Sequence, residues 1–500
     1  MHERRFGCRL GRMIAVVPRS RLTDLEEQNR QLRLENEQLR ATLSARDERI
    51  AGLVSLGENL KAQLAELKAR LGTNSHNSSQ APSSDGPQVP PRQGRPKTGR
   101  KRGGQAGHAP HSRPLAPACD VTRFVAVKPE ACEQCGTALV GDDPEPERRQ
   151  VIDIPRVQLI IVEYLLHQLR CPDCSHMTRA KLPAGVGLSA FGPRLHALVA
   201  VMVGKFRQGK RGVQALLELV YGLEVSLGAI SKIERRVSAA LAAPVAEVQA
   251  AIQQADVVNK DETSWRQMRN KAWLWVAATA QLAGFWIDRR RGSEVSKRIL
   301  GEAFAGIVCA DRWSAYYWLK RRALCWAHLK RDFVAMAERH HSPWHGGRLV
   351  KLAGEIMALS ARWQAGEIDR AALEAQVAPL KARMVQMLAW TAANAPGRKA
   401  RATARNLLKH QDAMWRWLSD ARVPLTNNLA ERLLRYAVIW RKLSYGTDSL
   451  AGSRYVERLL TAVGTLQLQG RDAYEYLTDL MTAYSAGQPL PSLLPQPSDP

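Results

Sequence analysis

The sequence has no continuous apolar stretch that reaches the ~18 residues of a membrane-spanning helix. Its longest apolar runs, near residues 159–166 and 198–203, are short or interrupted. The N-terminal residues carry positive charge and a brief apolar patch, without the apolar core of roughly 7–15 residues that a secretory signal contains. We therefore expect the chain in the cytoplasm of a bacterial-type cell.

Acidic residues are scarce relative to basic ones. Asp and Glu number 47 against 73 Lys and Arg, which gives a net charge of +26 and a pI near 10.1. Such a charge does not set a fold, but it predicts a polyanionic partner, most simply nucleic acid, and thus association with the nucleoid. A basic protein on a membrane surface is the weaker alternative, because no segment is long enough to span a bilayer.

Cysteine is sparse, and half of the eight cysteines fall into two CxxC pairs, Cys132 with Cys135 and Cys171 with Cys174. In a reducing compartment this spacing favours a metal over disulfides, since one turn can offer two thiolates to a tetrahedral ion. Residues 151–169 read as extended segments that can return the chain so that the pairs meet. A redox CxxC is the alternative, but it needs a thioredoxin-like context that is not evident. We expect a structural four-cysteine Zn²⁺ site.

Two segments near the N-terminus predict self-association and contact with phosphates. Residues 21–71 carry leucines at heptad a and d positions, with Asn29 and Asn36 at a, which is typical of a coiled coil. A long helix packed on its own domain is the alternative. Residues 72–118 are rich in Ser, Pro and Gly, so they are expected to be disordered. Whether or not this linker has another role, its basic residues can neutralise DNA phosphates: Arg95, Lys97, Arg100, Lys101 and Arg102.

A possible helix-turn-helix lies in the helical segment 190–250. Residues 211–223 are amphipathic, Gly222 follows, and Ser226 can cap a second helix whose polar face carries Lys232, Arg235 and Arg236. Those three residues are candidate DNA contacts. An ordinary helical hairpin that only packs in a core gives the same pattern.

Three acids form the most informative constellation. Asp261 and Asp311 follow short apolar runs that read as strands, and Glu431 lies on a predicted helix that Thr426 can cap. The first strand is expected to end near residue 259, just before Asp261. A β-β-β-α-β order with acids at the ends of the first and fourth strands fits a ribonuclease H-like fold. Carboxylates in this arrangement can hold two hard divalent cations that act on a phosphodiester.

Taken singly, each acid has a simpler explanation. Asp311 can pair with Arg312 at a strand end, Glu431 has Arg435 four residues on, and Glu262 is a possible ligand in place of Asp261. Cys325 and His328 in CWAHLKRDF are one helical turn apart and can ligate a metal, although a lone Cys-x-x-His is more often core packing. Lys330 and Arg331 beside them are candidate DNA contacts.

Several segments in order make the chain resemble transposases of the IS66 insertion-sequence family. They are NSSQAPSSD, GGQAGH, the two CxxC pairs, KDETSW, CADRWSAY, CWAHLKRDF, TNNLAERLLR and WRKLSYGTDSLAGSRYVERLLTAV. The stretch after Trp440 differs from the family's commoner version. The resemblance implies a DDE triad of Asp261, Asp311 and Glu431 that binds Mg²⁺ or Mn²⁺, cleaves transposon ends and transfers the 3′ hydroxyls to target DNA. It also implies possible small companion proteins from the same element.

We therefore expect a multidomain α/β chain with much helix. Its parts are a leucine-zipper coiled coil (21–71), a basic linker (72–118), a zinc domain (119–185), a helical DNA-binding segment (190–250), a ribonuclease H-like catalytic domain (251–440) with a helical insertion (about 326–420), a helical extension (441–486) and a disordered tail (487–500). The coiled coil predicts a homo-oligomer. A zinc-containing regulator that binds DNA, an inactive transposase remnant, and a nuclease that cleaves without joining are the alternative functions.

Overall fold

The computed structural model describes residues 19–71, 73–77, 85, 89, 113–187, 189–339 and 342–495. The basic linker residues Arg95, Lys97, Arg100, Lys101 and Arg102 lie outside the described residues, so their predicted contact with phosphates stays a prediction. Among the described helices, none combines the length and apolarity needed to cross a membrane.

A single long helix, α1 (Arg19–Leu71), covers the segment with the heptad pattern. At 1.5 Å per residue its 53 residues extend roughly 80 Å. Leucines of the d series stay exposed along it, for example Leu25 at 52 % and Leu39 at 61 %. The apolar stripe is thus unburied within one chain, and self-association through it stays a prediction.

The segment with the cysteine pairs contains little regular structure. A 3₁₀ turn covers Ala118–Asp120, and two short strands, β1 (Gln168–Arg170) and β2 (Met177–Arg179), form an antiparallel hairpin. Of the extended segments predicted over 151–169, only the last two residues lie in a strand.

Four helices precede the main sheet: α2 (Pro193–Gly204), α3 (Lys210–Tyr221), α4 (Leu227–Ala240) and α5 (Ala242–Gln253). Gly222 follows the last residue of α3 as its C-cap, and its φ of +64° is a conformation that glycine adopts without strain. Ser226 caps α4 by accepting a hydrogen bond from the backbone N–H of Ala229, as the sequence predicts. Apolar residues of these helices share one core with the sheet and the C-terminal helices.

The central sheet has five strands in the spatial order β5-β4-β3-β6-β7. The elements follow one another as β3 (Val257–Gln267), β4 (Asn270–Ala278), β5 (Ala283–Asp288), helix α6 (Ser293–Leu300), β6 (Ile307–Ala310) and β7 (Arg322–Leu324). Strands β3, β4 and β5 are antiparallel neighbours, whereas β6 and β7 run parallel to β3. The β-β-β-α-β order thus agrees with the prediction. The short strand β7 was not predicted.

Strand β3 is longer than its apolar start suggests. The prediction that it ends near residue 259 is wrong, because pairing with β4 continues from Asn259 as far as Gln267. A two-residue turn closes this hairpin, and both of its residues have positive φ, 52° for Met268 and 63° for Arg269, as tight hairpins require. Asp261 therefore lies inside a strand and is held by its hydrogen-bond ladder.

Between β7 and the helix that bears Glu431, five helices form an insertion with its own core. They are α7 (Trp326–Ala337), α8 (Pro343–Gln364), α9 (Arg370–Asn394), α10 (Arg398–Lys409) and α11 (Gln411–Ser419). Trp326 is fully buried and packs edge-on against Trp415 and Trp417. Ile307 and Cys309 of β6 belong to the same cluster, so the insertion is anchored on the sheet.

Three helices complete the chain: α12 (Asn428–Ser444), α13 (Leu450–Leu468) and α14 (Ala473–Ala486). Three side chains of α13 satisfy alternate backbone N–H groups of the edge strand β5. Glu457 accepts from Ile287 at 2.6 Å, Thr461 from Phe285 at 3.0 Å and Thr465 from Ala283 at 3.1 Å. Four helical residues and two strand residues both advance about 6 Å, so the ladder stays in register. The helix thereby covers an edge that would otherwise be open.

The chain after α14 also packs on the core. Leu493 is fully buried, and the hydroxyl of Tyr476 donates to the carbonyl of Pro491 at 2.8 Å. Residues 487–495 thus differ from the disorder expected for 487–500; residues 496–500 lie outside the described residues.

Candidate active site and zinc segment

Asp261 and Asp311 occupy equivalent positions on neighbouring parallel strands. The register of β3 and β6 pairs Val257 with Ile307 and Asn259 with Cys309. Asp261 follows Asn259 by two residues, and Asp311 follows Cys309 by two residues. Parallel strands in register bring such residues side by side, so the pairing of Ile307, Val308 and Cys309 in β6 with the start of β3 positions the two carboxyl groups together.

The two carboxyl groups interact electrostatically. Burial raises the pKa of Asp261 well above its ordinary value, and the charges of Glu262 and Asp311 raise it further. Burial also raises the pKa of Asp311 to about 6, with Glu262 adding to the effect, although its Oδ1 accepts a 2.8 Å hydrogen bond from the backbone N–H of Trp313. A desolvated set of like charges fits a site that a divalent cation neutralises.

Helix α12 brings Glu431 to the same region. Asn427 precedes the helix and is fully buried; its Nδ2 donates to the carbonyl of Lys260, the residue before Asp261, at 2.8 Å. The negative charge of Glu431 contributes to the raised pKa of Asp261. The prediction that Thr426 caps this helix is wrong: Asn427 occupies the N-cap position, and no side-chain oxygen caps the helix there.

Residues of CWAHLKRDF surround Glu431. This contact was not predicted from the sequence. Arg331 Nη2 lies 3.1 Å from Glu431 Oε1, and His328 Nδ1 lies 3.6 Å from the same oxygen. Burial and the nearby charge of Arg331 lower the pKa of His328 to about 3, so its imidazole is neutral and makes no ion pair. Arg331 was predicted to contact DNA, but its side chain is largely buried against Glu431. Only spatial proximity links these residues, which are about a hundred positions apart in sequence.

Cys325, His328 and Glu431 form the one group of three or more potential ligand side chains within 4.8 Å found among the described residues. Burial raises the pKa of Cys325 to about 11, and its sulfur accepts a 3.1 Å hydrogen bond from the backbone N–H of Asn427. A protonated, hydrogen-bonded thiol is a poor ligand for a hard cation. The thiol and imidazole therefore fit a role in holding α12 and Glu431 in place.

Glu262, the alternative ligand, is engaged by other groups. Its carboxylate lies 2.8 Å from Arg291 Nη2 and also accepts from the Tyr316 hydroxyl. The guanidinium of Arg291 lies between the rings of Trp273 and Trp313, at 4.4 and 4.3 Å from their centroids. Two donors already occupy Glu262, which makes it a less available ligand than Asp261.

A fully buried lysine lies behind the acids. Lys260 donates to Ser296 Oγ at 2.9 Å and faces the rings of Trp275 and Tyr316. Burial lowers its pKa to about 7. Lys260 was not predicted as a site residue, because a lysine inside the polar segment KDETSW is expected to be exposed. Its position in β3, where the side chain faces the core, explains its burial.

Each cysteine pair sits in its own tight turn. The backbone N–H of Cys132 donates to Thr137 and its carbonyl accepts from Gly136, both at 2.9 Å; Cys171 repeats this pattern with His176 and Ser175, at 2.8 and 3.0 Å. Gly136 and Ser175 have positive φ, 74° and 58°. Hydrogen bonds lower the pKa of Cys135, chiefly from Thr137, and that of Cys171, chiefly from Cys174 and Asp173. Both turns thus favour thiolates, as zinc requires, although no three of the four cysteine sulfurs all lie within 4.8 Å of one another.

The structure separates the three basic residues predicted on α4. Lys232 and Arg235 are exposed. Arg236 is partly buried and lies 6.0 Å from the ring of Tyr484 on α14. Helix α4 packs against α2, α3, α5, α13 and α14, so its free face is narrow.

Comparison with known proteins decides the family. The profile described as "Transposase IS66 family" matches residues 189–455, just over half of the chain. The chain belongs to the IS66 family of transposases. The profile of the zinc-finger binding domain of transposase IS66 matches residues 129–175, and a family of unknown function matches residues 19–114. The IS66 zinc-finger match includes all four paired cysteines and supports a structural zinc.

Relatives of this IS66 transposase family member occur in Sinorhizobium fredii (strain NBRC 101917 / NGR234). The uncharacterized protein y4qI is 25% identical over 403 residues, which cover 73% of this chain and 72% of the relative. The uncharacterized protein y4hP is 25% identical over 407 residues, 72% of this chain and 71% of the relative. The range that the IS66 profile matches, residues 189–455, includes Asp261, Asp311 and Glu431.

Proposed function

We propose that this chain is a DNA transposase of the DDE type, in which Asp261, Asp311 and Glu431 form a metal-dependent site that cleaves transposon ends and transfers the freed 3′ hydroxyls to target DNA. One observation carries the proposal: Asp261 and Asp311 share a register position on adjacent parallel strands, and α12 delivers Glu431 beside them. Family membership supplies the DNA substrate.

The sheet supports assignment to the ribonuclease H-like fold. Its strand order, with three antiparallel strands followed by two that run parallel to the first, suits a core in which acids of the central strand and its parallel neighbour meet. The helical insertion α7 to α11 separates the second aspartate from the glutamate in sequence, and Cys325, His328 and Arg331 at its start support Glu431 in space.

The donor set suits Mg²⁺ or Mn²⁺, since carboxylate oxygens are the ligands that hard cations prefer. Bound there, two such cations would activate water or a 3′ hydroxyl and stabilise the leaving oxygen. Asp261 and Asp311 would be the shared ligands, with their strand ladder fixing their separation. Arg331 and neutral His328 would orient Glu431, and the hydrogen bond from Asn427 to Lys260 would tie α12 to β3.

The rest of the chain supplies assembly and DNA affinity in this proposal. Cys132, Cys135, Cys171 and Cys174 would bind a structural Zn²⁺, and α1 would join two chains so that two DNA ends are paired. Lys232 and Arg235 would contact DNA from α4; Arg236, packed near Tyr484, would instead position that helix. The basic linker would add phosphate contacts that carry no sequence information.

A cleavage and strand-transfer assay tests the proposal, with Mg²⁺ and DNA that carries the ends of the chain's own element. Asp261→Asn, Asp311→Asn and Glu431→Gln are each expected to abolish cleavage while DNA binding persists. Asp412→Asn, which removes an exposed carboxylate from α11, is the matched control and should cleave normally. Glu262→Gln should retain more activity than Asp261→Asn, because Glu262 is held by Arg291 and Tyr316.

Two results would contradict the proposal. Near-normal cleavage by any one of the three triad variants removes that residue from the site. Binding without cleavage by the unaltered chain, with the element's companion proteins added, would favour a DNA-binding regulator or an inactive remnant.

A further inference from the structure

An open cavity of about 630 Å³ lies between the β3–β4 hairpin and the C-terminal end of α12. We call it the hairpin pocket. Its walls carry five cationic side chains and an aromatic ring, from Arg266, Arg269, Lys271, Arg441, Lys442 and Tyr445. It includes part of the stretch after Trp440 that departs from the commoner family version and that the catalytic site leaves without a role.

The positive charge of the hairpin pocket is uncompensated. Among the residues that the structure describes, none of the five cations has a carboxylate within ion-pair distance. Arg441 is braced by Ser264 and by Thr263 Oγ1 at 3.3 Å, and burial lowers its pKa. Arg266, Arg269, Lys271 and Lys442 are exposed. Five cations held together without acids leave a strong local attraction for an anion.

The backbone around the hairpin pocket is fixed before any ligand arrives. Thr447 N–H donates to the Arg266 carbonyl at 2.9 Å, and the Thr447 carbonyl accepts from Met268 N–H at 2.7 Å, so the chain after α12 pairs with the hairpin. Gly446 has a φ of +110°, and a Cβ there would lie 2.3 Å from the Arg266 oxygen. Only glycine permits this approach. Tyr445, with a φ of +58° and 78 % exposure, lines the pocket at its solvent-exposed side.

The hairpin pocket shares both of its supporting elements with the acids. Arg266 follows Asp261 by five strand residues, which is about 17 Å at roughly 3.4 Å per residue. Arg441 follows Glu431 by ten helical residues, which is about 15 Å. Successive phosphates of one DNA strand advance about 3.4 Å along the duplex axis, so a duplex whose axis runs along β3 and α12 would span this separation with about five nucleotides.

We propose that the hairpin pocket binds the sugar-phosphate backbone of a DNA strand about five nucleotides from the phosphate that the acids attack. The proposal rests on the proposed function, because it places the same substrate across both sites. Arg266, Arg269, Lys271, Arg441 and Lys442 pair with phosphates, and the ring of Tyr445 offers a surface for an unpaired base. The pocket thereby positions DNA and reads no sequence.

The test replaces three pocket cations whose side chains are exposed and have no carboxylate partner among the described residues. Arg269→Asn, Lys271→Gln and Lys442→Gln are combined; Asn suits the left-handed backbone at 269, and Arg441 is left in place because it braces the strand. The control combines Lys351→Gln, Arg383→Gln and Lys399→Gln, which removes the same charge from exposed positions of the helical insertion. Lys442→Glu alone is a second variant, and a single replacement at this exposed position should leave the protein folded.

DNA affinity is measured against salt concentration with a duplex that extends well beyond the cleavage site. The pocket variant is expected to bind DNA at least tenfold more weakly at ~0.1 M salt. The slope of its log affinity against log salt concentration should be smaller by the amount that about three lost phosphate contacts give. The control variant should keep the salt dependence of the unaltered chain. When the duplex is trimmed to about three nucleotides on the side that reaches the pocket, the unaltered chain and the pocket variant should bind equally.

The outcomes separate the two proposals. If the unaltered chain binds and cleaves DNA but the pocket variant and Lys442→Glu behave like the control, the pocket proposal is overturned and the proposed function stands. The pocket proposal is also overturned if the unaltered chain and the pocket variant still differ in affinity for DNA trimmed on either side, because the lost contact then lies outside the pocket. Failure of the unaltered chain to cleave with its companions contradicts the proposed function itself.

Discussion

Replacing Asp311 by Asn is expected to stabilise the metal-free protein. The folded protein raises the pKa of this carboxyl from 3.8 to about 6, chiefly through burial and secondly through the charge of Glu262. This rise in pKa corresponds to a penalty of about 3 kcal/mol for keeping the carboxylate ionised in the folded state. Asn has nearly the same shape and keeps the oxygen that accepts from Trp313 N–H, so the variant loses the charge alone.

The sign of the pH dependence follows from proton linkage. Between pH ~4 and ~6 the folded state holds a proton on Asp311 that the unfolded state has already released, so stability falls as pH rises through that window. The penalty is complete above pH ~6 and absent below pH ~4. At pH 8 the free energy of unfolding of Asp311→Asn should therefore exceed that of the unaltered chain by about 3 kcal/mol, which raises the melting temperature by several degrees. This difference should shrink as the pH approaches 4.

Scanning calorimetry in buffer freed of divalent cations by a chelating resin measures this difference. Added Mn²⁺ should raise the melting temperature of the unaltered chain and leave the variant nearly unchanged, because only the former gains a site. Asp420→Asn is the control: hydrogen bonds from Arg422 lower the pKa of Asp420 to about 2, so this replacement should destabilise the protein at pH 8. An Asp311→Asn protein that is less stable at pH 8, or a chain insensitive to Mn²⁺, refutes the reasoning.

Three further predictions concern zinc, assembly and the support of Glu431. Cys132→Ser with Cys171→Ser should lower the bound zinc, measured by atomic emission, by one ion per chain, whereas Cys119→Ser should leave it unchanged; equal zinc contents would exclude the four-cysteine site. Leu39→Lys, at a d position of α1, should dissociate the oligomer in sedimentation velocity, while Leu34→Lys, equally exposed but off the seam, should not; identical profiles would exclude the coiled coil. Arg331→Met should slow Mg²⁺-dependent cleavage by about tenfold, about 1.4 kcal/mol, with DNA affinity retained, and Lys330→Met should have little effect; loss of affinity without loss of rate would return Arg331 to a DNA-binding role.

The parts of the fold that follow from local patterns could be predicted from the sequence. The strand order around Asp261 and Asp311 was visible because apolar runs, turn residues and lengths are local signals. The end of β3 was not, since its polar second half is held by pairing with β4, a contact between residues that no local pattern links. Strand β7 has three residues and is too short to leave a signal.

The candidate site shows the same division. The three acids could be proposed from their positions and from the family resemblance. The support of Glu431 by Arg331 and His328 could not, because that contact crosses about a hundred residues and depends on how the insertion packs. The hairpin pocket also joins residues about 175 positions apart, and long-range contacts of Thr447 with Arg266 and of Arg441 with Thr263 and Ser264 bring them together.

A change of metal specificity shows whether Asp261 binds the catalytic metal. Asp261→Cys places a thiolate at the position of the proposed metal ligand, and thiolates bind Mn²⁺ far better than Mg²⁺. We expect this variant to lose cleavage of transposon-end DNA in Mg²⁺ and to recover a measurable part of it in Mn²⁺, whereas Asp261→Ala stays inactive in both. Equal inactivity of the cysteine and alanine variants in Mn²⁺, or full activity of either in Mg²⁺, would contradict the assignment of Asp261 as a ligand of the catalytic metal.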